Sequence, residues 1–102
     1  MIEKYGKILR HYGIDKQLIK TVEELAELQV QLLKYFSSLS RFRTQTLMPG
    51  EIEKIWWDIQ PEIADVENML YQLKIYFNCF SEVDQIKEQK LDRTIERIKN
   101  NG

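Results

Sequence analysis

Helix breakers are nearly absent from this chain, which has 4 glycines and 2 prolines in 102 residues, and its apolar residues recur at three- and four-residue steps. That spacing lines up side chains along one face of an α-helix. The expected fold is therefore all-α, an antiparallel bundle of four main helices. With 43% hydrophobic and 30% charged residues the chain suits one globular domain spanning residues 1–102. A chain this short buries only roughly 60–70% of the surface its unfolded form exposes. Association of subunits is the natural supplement.

The few breakers mark the joints. Gly13, with Asp15 behind it as N-cap, predicts a stop between a short first helix and a longer one starting near Lys16. The second helix should run to about Phe36. Residues 37–50 mix Ser, Thr and Arg and close on Pro49-Gly50, which predicts a loop or loosely helical insertion. Helix resumes by Glu51, and Pro61, which has no N–H for residue 57, should kink it or start it afresh. The third helix then reaches about Asn78. Ser81 and Asp84 resemble a capping box for the fourth, which ends near Asn100.

At about 100° per residue, Leu18, Val22, Leu25, Leu28, Leu32 and Phe36 form the apolar stripe of the second helix. Ile59, Ile63, Val66, Leu70, Leu73 and Phe77 do so on the third. Glu24 and Glu27 edge the first stripe, and Glu62 and Asp65 edge the second. Each pair is spaced i, i+3, so both of its carboxylates point into one volume. If the stripes pack antiparallel, the four acids converge, and protonation or a cation must relieve their repulsion, a metal being the simplest relief. Oxygen ligands favour a hard divalent ion: Mg²⁺, with Mn²⁺ able to substitute. Glu23 is rotated about 100° from Glu24, which suits it to orienting water rather than to ligation. The competing reading is an ordinary solvated acidic face.

The segment Val22-Glu-Glu-Leu-Ala-Glu-Leu28, followed by Glu62-Ile-Ala-Asp65, resembles the EExxE and ExxD motifs of the MazG-like all-helical nucleotide pyrophosphohydrolases. The similarity takes in the approach from Tyr12-Gly13 through Gln17, the helix EIADVENMLYQLKIYF, and Lys90-Leu-Asp-Arg93 as a basic tail helix. It implies a bundle that binds Mg²⁺ through Glu24, Glu27, Glu62 and Asp65. It also implies cleavage of a nucleoside triphosphate by water into monophosphate and pyrophosphate, with Gln17 as a substrate contact and a homodimer or homotetramer as the assembly. Pro61 stands where members often carry an acid, and Asp92 where an asparagine is expected. Those departures make a protein that binds a nucleotide with little turnover the alternative reading.

Lys90, Arg93 and Arg97 fall within about 60° of one another on the fourth helix, either clamping phosphates or forming a solvated basic face. For Trp56 and Trp57, burial in a core or interface is expected ahead of stacking on a base. Ala64, Tyr71 and Ile75 make a second apolar strip on the third helix, which predicts that a partner subunit covers it. The formal net charge of −1 suits no nucleic-acid polymer. No apolar run approaches a membrane span, and the start MIEKYGKILR lacks the apolar core of a signal peptide, so a cytoplasmic protein is expected. The single cysteine, Cys79, agrees with a reducing compartment.

Overall fold

The computed structural model describes residues 1–46 and 48–101, and all four of its elements are helices: α1 (Ile2–Tyr12), α2 (Ile14–Arg43), α3 (Glu51–Phe77) and α4 (Phe80–Asn101). The all-α expectation holds, and the joints fall close to the breakers. At the first joint Gly13 adopts φ 86, ψ 157, a region that only glycine occupies without strain. Its N–H caps the Leu9 carbonyl at 2.9 Å. Asp15 lies inside the first turn of α2, where it favours the helix dipole rather than capping.

The expected insertion at 37–50 is mostly helix. α2 continues to Arg43 because its hydroxyl residues bond back to their own helix: Ser38 donates to the Lys34 carbonyl at 2.9 Å, and Thr44 to the Arg41 carbonyl at 3.1 Å. Ser38 is fully buried, and Arg41 reaches across the short connection to Glu51 at 2.7 Å. α3 likewise runs unbroken through Pro61. Pro61 and Trp57 are both exposed, so the missing hydrogen bond falls on a wet side of the helix. The Ser81–Asp84 capping box does not form. α4 starts one residue earlier, after Asn78 turns the chain with φ 50, ψ 52, and Ser81 donates instead to Glu82 at 2.6 Å.

α2 and α3 form an antiparallel hairpin, since Gln17 meets Gln72 near one end and Arg41 meets Glu51 at the other. The α2 face turned inward is not the apolar stripe. Gln17, Thr21, Glu24, Leu28, Gln31 and Ser38 are buried or half-buried, whereas Leu18, Val22, Leu25, Leu32 and Phe36 are exposed, Val22 by 66% and Phe36 by 73%. On α3 the inward positions are Ile55, Ile59, Glu62, Val66, Met69 and Leu73, while Ile63, Leu70 and Phe77 are exposed. Both inward seams step by four and three residues, the spacing of a coiled coil. One is largely polar.

Each exposed stripe lies one residue after its inward seam: Leu18, Val22, Leu25 and Leu32 on α2, and Trp56, Ile63, Leu70 and Phe77 on α3. In an antiparallel pair the same offset on both helices leads to the same side. The hairpin therefore has one dry face. Its opposite face carries α1, held by Tyr5, which stacks on Tyr71 at 4.4 Å between centroids and donates to Asn68 Oδ1 at 2.5 Å. Phe80 meets Tyr71 edge-on at 5.1 Å. Of the strip expected to await a partner, Tyr71 is thus packed within the chain, whereas Ala64 is exposed and Ile75 half-buried.

α4 has no buried residue, and within one chain the bundle stays open. The radius of gyration is 17.9 Å, against about 13 Å for a compact domain of this length. The accessible surface is 8408 Å², against about 6,100 Å² for a folded monomer of 12.3 kDa. The difference is about 2,300 Å². Among the described residues no helix is long and apolar enough to cross a membrane.

The Gly13 corner gives a direct check on the fold. Gly13→Ala should cost about 1–3 kcal/mol in urea denaturation, although a Cβ there would meet nothing within 4 Å. An unchanged midpoint would mean that the corner does not require glycine's conformation.

Candidate metal centre

Glu24, Glu27, Glu62 and Asp65 each offer a carboxylate oxygen, and these atoms lie within 4.8 Å of one another. The hairpin register brings them together: Glu24 and Glu62 stand in the inward seams, and Glu27 and Asp65 each precede a seam position, Leu28 and Val66. The convergence is the one the spacing predicted, although polar seams and not apolar stripes produce it.

Burial within the quartet is unequal. The Glu24 side chain is only 6% exposed and Glu62 is half-buried, while Glu27 and Asp65 are open. Glu24 Oε1 accepts from Lys20 Nζ at 2.8 Å. Glu24 Oε2 and Glu62 Oε2 are buried without a hydrogen-bond partner. Leaving such an oxygen unpaired costs about 1–3 kcal/mol, and more when it is charged. The residues present fit a hard divalent cation, which takes oxygen ligands and would satisfy both orphaned atoms.

The acid–base character of the quartet follows this geometry. The Lys20 ammonium, through its hydrogen bond, holds the Glu24 carboxyl below its ordinary range against the opposing effect of burial. The charge of Glu24 then pushes Glu27 upward, with lost hydration and Glu62 adding to it. Asp65 is raised by lost hydration and then by Glu24. Without a cation, the charge of Glu24 and the lost hydration thus favour proton uptake at Glu27 and Asp65 over the ordinary carboxylate.

A cavity of about 760 Å³ opens beside the quartet on the face opposite the dry stripes. Glu24 and Asp65 form one wall, and Tyr5, Ile8 and Tyr12 of α1 form another. Lys16, Lys20, Asn68 and Gln72 complete it with Gln17, whose amide donates to Gln72 Oε1 at 2.8 Å. Such a volume suits a ligand of nucleotide size. The predicted Gln17 and Glu23 both line it. Lys90, Arg93 and Arg97 do not; they are exposed on α4. Trp56 and Trp57 are also outside, exposed and packed edge-on against each other at 4.8 Å.

Sequence reasoning missed Tyr5, Tyr12, Lys16, Lys20, Asn68 and Gln72. One signal was available for Lys20, a lysine four residues before a motif glutamate on the same helix face. The others depend on how α1 crosses the hairpin. Comparison with known proteins returns no match: no family model fits the chain, and neither a curated protein nor a solved structure is significantly similar to it.

A raised carboxylate stabilises the fold below its unfolded value of about 4.3 and loses that contribution as pH rises through the folded value. In chelator, Glu27→Gln should therefore melt above the parent protein at pH 7, with the gap closing toward pH 4 as Glu27 takes up its proton. Melting curves across that range, the variant lying below the parent at pH 7, would contradict the crowding.

Proposed function

We propose that this chain is a Mg²⁺-dependent nucleotide pyrophosphohydrolase that cleaves a nucleoside triphosphate to the monophosphate and pyrophosphate. The observation that carries the reading is Glu24, a buried carboxylate with an unpartnered oxygen, set among three further acids at the edge of a nucleotide-sized cavity. The likeness of its motifs to those of MazG-like enzymes supports the same assignment. Glu24, Glu27, Glu62 and Asp65 hold the ion, for which Mn²⁺ can stand in. A bound divalent cation polarises phosphate oxygens and makes nearby water more acidic.

The chain's own residues do the rest. Tyr5 and Tyr12 flank the cavity as aromatic walls for a base. The amides of Gln17, Asn68 and Gln72 offer the donors and acceptors that read its edge. Glu23, on the wall beside Glu24, orients the attacking water. The water oxygen bonds to the α-phosphorus and gives up a proton to solvent, the bond from that phosphorus to the bridging oxygen breaks, and pyrophosphate leaves with that oxygen.

The alternative, a protein that binds a nucleotide with little turnover, is favoured by one observation. Among the described residues no arginine lines the cavity, whereas a guanidinium commonly stabilises the charge developing during phosphoryl transfer. Incubation with a panel of nucleoside triphosphates and Mg²⁺ separates the two readings. The first expects monophosphate and pyrophosphate, reduced at least on the order of 100-fold in Glu62→Ala and Asp65→Ala, the scale of losing one charge-stabilising group. Tight stoichiometric binding without product would leave the second.

The assembly we propose is a homo-oligomer in which a second copy covers the dry face of the hairpin. About 2,300 Å² of excess surface per chain exceeds the roughly 800 Å² per partner of a standard interface. The exposed seam Leu18, Val22, Leu25 and Leu32 keeps the four- and three-residue steps that pack helix against helix. Sedimentation should show no monomer at micromolar concentration, and Leu25→Glu with Leu70→Glu should produce one. A monomeric parent protein would end the proposal.

A further inference from the structure

Among the described residues, the one ion pair made by the quartet is to Lys20. We infer that Lys20 is an exchangeable counter-ion, neutralising Glu24 in the metal-free protein and passing to the phosphates of a nucleotide when the quartet is occupied. The inference rests on the metal reading above and adds the residue that couples metal to ligand.

The pair is asymmetric. Its acid is 6% exposed and its amine 53%, so the carboxylate is fixed by packing while the four-carbon stem of the lysine is free to swing. Lys20 sits one turn before Glu24, which brings its Nζ within 2.8 Å of Oε1. A magnesium ion lies at about 2.1 Å from its ligand oxygens. An ammonium bonded to the same carboxylate would then stand close to a dication, and the two like charges repel.

Lys20 also lines the cavity, one turn from Lys16. The acids acting on it from its own helix are Glu24, Glu23 and Glu27, and Asp15 and, from α3, Asp65 line the same cavity. All four members of the quartet would be engaged once a cation is present, which leaves the exposed Glu23 and Asp15 to compete with incoming phosphates. A triphosphate carries more charge than either and offers acceptors suited to an ammonium. Metal binding and nucleotide binding therefore favour each other through one side chain, and such coupling is reciprocal.

Mn²⁺ titration followed by electron paramagnetic resonance, without nucleotide and then with a non-hydrolysable α,β-imido triphosphate, tests this on the full chain. Lys20→Met should bind Mn²⁺ alone about 3-fold more tightly, because no ammonium has to be displaced. It should bind the analogue about 10-fold more weakly in the presence of Mn²⁺. Lys20→Arg, which keeps the charge, should restore analogue binding to near the parent value. A merely structural lysine would move both affinities the same way. Lys20→Gln, which keeps a donor for Glu24, replaces the methionine variant should that one melt below the assay temperature. Weaker Mn²⁺ binding in the uncharged variant, or unchanged analogue binding, overturns the exchange while leaving the metal site intact. A parent protein that binds no Mn²⁺ removes the metal reading and the exchange together.

Discussion

The rest of the molecule is arranged around the enclosure of a carboxylate, Glu24, between two helices. Packing an anion there requires a counter-charge, and the chain supplies Lys20 to one oxygen while the other stays unpaired. Three more acids crowd the same volume. A hairpin built for stability alone would have placed leucines in these seam positions, since unpaired buried charge is far more costly than apolar contact is favourable. Sites that store such a cost are the places where function is sought.

That choice propagates through the hairpin. Because α2 gives most of its inward seam to Gln17, Thr21, Glu24 and Gln31, only Leu28 of its apolar stripe turns inward, and Leu18, Val22, Leu25 and Leu32 turn outward. Val66 and Met69 are the only hydrophobic residues among the described ones that are buried, and each keeps a little exposure. The hairpin consequently has a dry side and a wet side, and the offset of one residue from the seam decides which side a residue joins. The acids Glu23, Glu27 and Asp65 precede seam positions and share the wet side with the cavity.

α1 converts the wet side from a surface into a container. Its Tyr5 is anchored twice, on the ring of Tyr71 and on Asn68, and the anchoring holds Ile8 and Tyr12 over the acids as a wall. Gly13 makes this possible, since a residue with a side chain would resist the backbone conformation that folds α1 back. α4 has no comparable anchor beyond Phe80 against Tyr71, and its basic residues remain in solvent.

The amino-acid sequence by itself determined the helical class, the joint at Gly13, the restart of helix at Glu51 after Pro49-Gly50, the end of the third helix near Asn78, and the acids that meet. Local rules suffice for these: breakers act where they stand, and an i, i+3 pair shares a face in any helix. Which face of each helix would turn inward was decided only by the tertiary structure. Periodicity placed the apolar stripe in the core, but the stripe and the polar seam differ by one residue, about 100°, and hydrophobicity alone favoured the wrong one for a single chain. The helical continuation through Ser38 and Pro61, the covering of Tyr71 by Tyr5, and the cavity walls from α1 were equally hidden. Each depends on residues far apart in sequence, or on whether a lost hydrogen bond meets water, and neither is written in local spacing.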